Sequence, residues 1–329
     1  MILQKKQPGD KNPLSAQEIE FYTKALSGQY QIGPQLGQSG SGTSAYLLMD
    51  SNGSCFVLKI PNDPTKTQDW IKEQQESIRK KEAYIGDYRG AIFVPKTIQV
   101  APNFVVEELA SGKEFSQKVY DSLSQKDKAT VAKDFAIFLN HSHQRTFQGM
   151  GPALELSKPS LEQIFKYLEP ALGLREKMAF FKCQKAFESQ KQDPQVLTFG
   201  DYRSQNMFWD DNKKQLSIID FDFTRPASVY REFTPDAASS YHGSYQFLKD
   251  VINIYNRLPK RHQIHIDLEK VRTNCMIGIY HEFGRCGINR KLSAEHQMHW
   301  LRPLRRALDR AFCAAPAIPT IRRKQNENT

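Results

Sequence analysis

Residues 198–206, Thr198-Phe199-Gly200-Asp201-Tyr202-Arg203-Ser204-Gln205-Asn206, set an Asp five residues ahead of an Asn, and Ile218-Ile219-Asp220-Phe221 places a second Asp fourteen residues further on. This spacing constrains the chain more than any other stretch. The residues lie in an interruption at 196–223, where two strand-like pieces flank Asp210-Asp211-Asn212-Lys213 between long helical patterns. Phosphoryl transfer asks for such a set: a carboxylate to orient the attacking hydroxyl, and an amide oxygen with a second carboxylate to hold Mg²⁺ against phosphates. Asp201, Asn206 and Asp220 are the right types for those three tasks. The apolar pair Ile218-Ile219 would fix the backbone just before Asp220 in a buried strand. The plain alternative is that Asp201 and Asn206 shape a turn and Asp220 caps a strand.

Upstream, the pattern changes from helical to strand-like. Ser15 followed by Glu18 reads as a capping box opening a short helix. Two apolar runs, 45–49 and 55–60, are separated by Asp50-Ser51-Asn52-Gly53, the signature of a hairpin. A glycine-rich stretch precedes them, and Gly37, Gly40 and Gly42 would let backbone N–H groups approach phosphate oxygens without side-chain obstruction. Gly37 and Gly42 have P-loop spacing, but Thr43 stands where the essential Lys would be and a strand follows, which excludes a Walker site. Residues 67–88 read as one charged helix, 94–100 and 103–109 as two more strands, and Ala110-Ser111-Gly112 as a linker. Beyond it, 126–146 and 160–190 carry apolar residues at helical spacing.

The order G-D-x-x-x-x-N and then I-I-D-F resembles the catalytic and metal-binding loops of the aminoglycoside phosphotransferase and choline kinase superfamily. One departure is visible: the family has His immediately before Gly-Asp, and here the position is Phe199. The resemblance spans about residues 33–222 in ordered pieces. It implies an α+β, bilobal, protein-kinase-like fold: an N-terminal extension at 1–29, a small five-stranded N-lobe with one main helix at 30–110, and a larger, mostly helical C-lobe at 111–329. It also implies ATP and Mg²⁺ as cofactors, with Asp201 as base and Asn206 and Asp220 as metal ligands. Arg203 stands by position where a cation could meet the transferring phosphate. Lys59 matches the strand Lys that contacts ATP phosphates, and Glu82 is the expected helix partner, with Glu73 and Glu76 as rivals. Gly37, Gly40 and Gly42 fall on the phosphate side, and Glu108 falls in the hinge where backbone groups would meet adenine.

The first reading is an ATP-dependent kinase acting on an alcohol group of a small molecule or protein. The second is a pseudokinase or nucleotide-binding scaffold without phosphotransfer, motivated by Phe199. A third is nucleic-acid or membrane-surface contact through the C-terminus. Residues 285–329 carry a net +7 of the chain's +10, and Leu301, Leu304, Leu308 and Phe312 share one helical face with arginines around them, so a basic helix packed on the C-lobe is the simpler reading. The charge favours an acceptor that is anionic or neutral over a polycation. Five scattered cysteines without a C-x-x-C pair argue against disulfides or zinc. No stretch reaches the ~18 apolar residues of a membrane span, and Met1 to Pro13 has no secretion-type apolar region, so a cytoplasmic location is expected.

Overall fold

The computed structural model describes residues 14–38, 42–145, 160–233, 245–259 and 264–313. The described chain opens with helix α1 (Ala16–Ala25), whose N-cap Ser15 accepts the Glu18 N–H while the Glu18 carboxylate takes the Ser15 N–H at 2.8 Å. Strands β1 (Tyr30–Gln38), β2 (Thr43–Asp50) and β3 (Cys55–Pro61), helix α2 (Thr67–Ile85), then β4 (Thr97–Ala101) and β5 (Phe104–Glu108) complete the N-terminal part. The five strands form one antiparallel sheet in the order β1-β2-β3-β5-β4. At the β2–β3 turn, Asp50 Oδ1 accepts the N–H groups of Asn52 and Ser54, and Gly53 sits at φ +79°.

Strand periodicity then decides where the site is. Tyr46, Leu48, Leu58, Ile60, Phe104 and Val106 point to one face of the sheet and pack under Tyr22 and Leu26 at the α1 end. Their neighbours in sequence must point the other way. In the β3–β5 pairing Lys59 stands opposite Val105, and Val57 opposite Glu107. Lys59 and Glu107 therefore share the face turned away from α1.

The rest of the chain is built around helices. Strand β6 (Lys113–Glu114) leads to α3 (Gln117–Ser122), α4 (Gln125–His143), α5 (Leu161–Leu168) and α6 (Leu174–Glu188). The helical pattern at 160–190 is broken between α5 and α6, where Pro170 and Gly173 flank Leu172. Strands β7 (Gln195–Thr198), β8 (Met207–Asp210), β9 (Gln215–Ile218) and β10 (Arg225–Ser228) follow, then α7 (Val229–Glu232), α8 (Tyr245–Tyr255), α9 (Leu268–Arg290) and α10 (Ala294–Cys313). Strand β7 pairs with β10, and β6, β8 and β9 form a second small sheet. These pieces hold the residues 199–206 and 219–224 between them.

The main core runs through this half. Phe135, Phe138 and Leu139 of α4, Val251 and Ile252 of α8 and Val271 and Ile277 of α9 are buried together with Tyr84 from the end of α2. Helix α10 is one continuous helix with Pro303 inside it; the side chains of Leu304, Leu308, Arg310 and Phe312 lie outside the described residues. Among the described residues, no helix is long and apolar enough to cross a membrane.

Candidate active site

The loop after β7 is shaped by its glycine. Gly200 has φ +81°, and a Cβ there would lie 2.9 Å from the Phe223 carbonyl oxygen, so only glycine lets the two loops approach this closely. Asp201 follows, buried. Its Oδ2 accepts from Asn206 Nδ2 at 2.7 Å and from Arg203 Nε and Nη2 at 2.9 and 2.7 Å. Asn206 Nδ2 also donates to the Asp201 carbonyl at 3.1 Å. The spacing of five residues is thus closed by a short 3₁₀ turn that brings amide and carboxylate together.

Asp220 is tied to that loop through its neighbour: the Ile219 N–H donates to the Asn206 carbonyl at 2.9 Å. Asp220 itself has φ +68°, a left-handed backbone that costs a non-glycine residue on the order of 1 kcal/mol or more. Burial raises its pKa, and the Asp222 carboxylate raises it further, while Lys59 and Arg203 pull the other way. Asp201, Arg203 and Asn206 are thus bonded together, and Asp220 lies within electrostatic reach of Arg203 and Lys59.

These residues include groups that could hold a cation. Asp220 is largely desolvated and the Asp222 carboxylate is near enough to raise its pKa further, a repulsion that a divalent cation could relieve. Asn206 uses its NH₂ group on Asp201, which leaves its amide oxygen as the atom for a cation. No group of three or more His, Cys, Asp or Glu that could hold a metal occurs among the described residues; Mg²⁺ that arrives with a nucleotide needs only one or two carboxylates.

The expected partner of Lys59 is corrected by the structure. Lys59 Nζ lies 2.6 Å from Glu107 Oε2 on β5, and Glu107 Oε1 takes Lys81 Nζ from α2 at 2.9 Å. Glu82 is exposed, as is Glu73, and Glu76 is paired with Arg79 on the helix surface. The reason is helical phase. Lys81 and Tyr84 are the buried positions of that turn, and each step along a helix rotates about 100°, which turns Glu82 away. Burial alone would push the Glu107 pKa up, but Lys59 and Lys81 outweigh it and hold it at about 2. The Lys59 pKa is raised in turn: burial opposes its charge, and Glu107, Asp220 and Asp222 more than offset that. Lys81 also donates to Thr97 Oγ1 at 2.8 Å and to the Pro95 carbonyl at 3.0 Å.

The other expected residues fall as follows. Gly37 is in β1 opposite Ala45, and Gly42 opens β2 at φ +81° with open space around it; Gly40 lies outside the described residues. Glu108 bonds Lys96 twice, accepting its N–H on the carboxylate and donating its own N–H to the Lys96 carbonyl, both at 2.9 Å. Arg203 lies on Asp201 and within electrostatic reach of Asp220. Phe199 is fully buried against Tyr202, Phe221 and Tyr84, with ring centroids at 4.5, 4.8 and 6.1 Å.

Sequence reasoning missed Asp222, Glu107 and Lys81. Asp222 was within reach, standing two residues past Asp220 in the same motif. Glu107 could have been found from strand alternation, since Lys59 and Glu107 both sit out of phase with the apolar positions of their strands.

The profile of the phosphotransferase enzyme family matches residues 35–242. Among solved structures, the ADP-bound aminoglycoside phosphotransferase APH(2'')-Ib superposes with a TM-score of 0.60 at 18% identity, covering 91% of this chain and 99% of that one. A Plasmodium vivax ethanolamine kinase gives 0.51 at 14%, covering 87% and 85%. A macrolide 2'-phosphotransferase type I gives 0.53 at 13%, covering 93% and 100%. These likenesses establish the bilobal, protein-kinase-like fold. No curated protein sequence matches the chain.

Proposed function

This chain belongs to the phosphotransferase enzyme family, and on that premise we propose that it moves the γ-phosphate of ATP to a hydroxyl group, with Asp201 as base. The observation that carries the proposal is the linkage of the two loops: Asn206 bonds Asp201, the Ile219 N–H bonds the Asn206 carbonyl, and Asp220 lies within electrostatic reach of Lys59 and Arg203. Asp201 would orient the acceptor hydroxyl and take its proton. Asn206 and Asp220, with Asp222 beside them, would hold Mg²⁺, which supplies charge neutralisation at the phosphates when bound. Lys59, kept charged and extended by Glu107, would contact the phosphates, and Arg203 would offset the negative charge that gathers near Asp201 in the transition state. Gly37 and Gly42 would line the phosphate side, and the backbone at Glu108 would meet the base.

The acceptor is proposed to be anionic or neutral. Supporting this, Arg225 and Arg231 follow the metal loop with both pKa values pushed down, chiefly by burial, Arg231 to about 10 with Arg225 adding repulsion. Calorimetry with Mg-ATP, followed by a mass-spectrometric screen against pooled metabolites, tests the reading. Absence of heat and of thermal shift at millimolar Mg-ATP would remove its first step.

A further inference from the structure

Beneath the catalytic loop lies a carboxylate that the chemistry above does not use. The Glu232 side chain, at the end of α7, has 0% exposure. Its Oε2 accepts the Phe199 N–H at 2.7 Å, and its Oε1 accepts the Tyr202 hydroxyl at 3.0 Å and the Tyr84 hydroxyl. The two tyrosine oxygens are 2.6 Å apart. His143 Nε2 stands 3.7 Å away, outside hydrogen-bond range, while its Nδ1 meets the Tyr255 hydroxyl at 3.0 Å. No Lys or Arg pairs with Glu232 among the described residues, and the hydrogen bonds that offset its desolvation are those from the Phe199 N–H and the tyrosine hydroxyls.

The partners belong to different elements. Phe199 and Tyr202 bracket Gly200 and Asp201, whereas Tyr84 sits at the end of α2. The same end of α2 is held by three more bonds: Lys80 Nζ to the Asp222 carbonyl at 2.6 Å, Arg145 Nε to the Ala83 carbonyl at 2.8 Å and His141 Nε2 to the Ile85 carbonyl at 3.0 Å. Because Phe199 offers no polar side chain, the backbone before Gly200 is fixed through its N–H. We propose that Glu232 is a positioning residue, which sets the depth of the Gly200-Asp201 backbone and locks it to α2 through Tyr84. Burial, and next the charge of Glu232, push the Tyr84 and Tyr202 pKa values well up, so both hydroxyls stay protonated and their two protons serve the three contacts among Glu232, Tyr84 and Tyr202. The catalytic part of this inference rests on the phosphotransfer reading; the tether does not.

The test compares wild type with Glu232→Gln, which keeps size and one acceptor oxygen, and Glu232→Ala, which keeps neither. Hydrogen–deuterium exchange of the peptide covering residues 196–206 is read first. It should quicken at least about tenfold in Glu232→Ala, with β3 and β5 peptides unchanged. Turnover of Mg-ATP should fall on the order of 10²-fold in Glu232→Ala, while the calorimetric Kd for Mg-ATP stays within about threefold. Glu232→Gln should lie between the two. Unchanged exchange overturns the tether. Turnover within about twofold of wild type, or ATP affinity falling in step with turnover, overturns the positioning role. A wild type that neither binds nor turns over Mg-ATP overturns the functional reading and Glu232's catalytic part with it, and the exchange arm still decides the tether, so the two failures are told apart.

Discussion

Lys59 on β3 is anchored by Glu107 on β5, 2.6 Å away, and Lys81 of α2 shares the same carboxylate at 2.9 Å. The acid that extends Lys59 thus comes from the sheet, and the helix contributes a second cation. Removing the carboxylate leaves two ammonium groups facing each other with their acid gone. Glu107→Gln is therefore expected to weaken Mg-ATP binding by about tenfold or more, and to destabilise the fold by about 3 kcal/mol or more, as for broken buried pairs. Calorimetry and urea unfolding check the two effects; Glu82→Gln should change neither.

The same carboxylate gives a pH dependence with a defined sign. Its folded pKa, about 2, lies below the ordinary value of 4.5. Its contribution to stability is therefore complete above 4.5 and is lost as pH falls from there toward 2. Between pH 5 and 3 the melting temperature of wild type should drop more steeply than that of Glu107→Gln. Parallel curves in that window would show that the ion pair does not carry this dependence.

Asp201 and Asp220 should separate in their effects. Asp201 is held by Arg203 and Asn206 and has no assigned contact with nucleotide, so Asp201→Asn should lower turnover on the order of 10²-fold or more with Mg-ATP affinity nearly intact. Asp220→Asn removes one of the two carboxylates offered to Mg²⁺ and should weaken Mg-ATP binding itself. Equal loss of affinity in both variants would show the roles to be wrongly divided.

Gly200→Ala tests the contact between the two loops. The residue needs φ +81°, and the new methyl group would press on the Phe223 backbone, which cannot swing aside as a side chain could. A destabilisation on the order of 1–3 kcal/mol is expected. It should come with a loss of turnover, because the shift falls on the residue next to Asp201. Urea unfolding and Mg-ATP turnover read the two parts.

What the sequence made legible was local. The distance from Asp201 to Asn206 is covered by one turn, and Asp220 follows an apolar strand, so residue type and spacing were enough to single out all three as candidates. The Ser15 cap and the Asp50–Gly53 turn were legible for the same reason. The partner of Lys59 was not, because α2 carries charge on every side and a lysine, Lys81, is one of its three buried positions beside Trp70 and Tyr84. Glu232 lay still further off. It meets Phe199 across 33 positions and Tyr84 across 148, in a segment whose only local signal is a short helix.

The charge of the acceptor can be tested without knowing its identity. Several solved relatives are named for aminoglycosides, which are polycations, and at 18% identity or less the shared fold leaves the pocket open. Here Arg225 is half-buried in β10 and pairs with Thr198 of β7, three residues before Asp201. A field from Arg225 and Arg231 repels cations and gathers anions, and it weakens as salt shortens its reach to about 8 Å at physiological ionic strength. Anionic polyols should therefore be phosphorylated with a higher kcat/KM than kanamycin-type cations, and raising salt should narrow the gap. Arg225→Gln should narrow it as well, mainly through KM for the anion. Efficient, saturable phosphorylation of the cations at low salt would sink the idea.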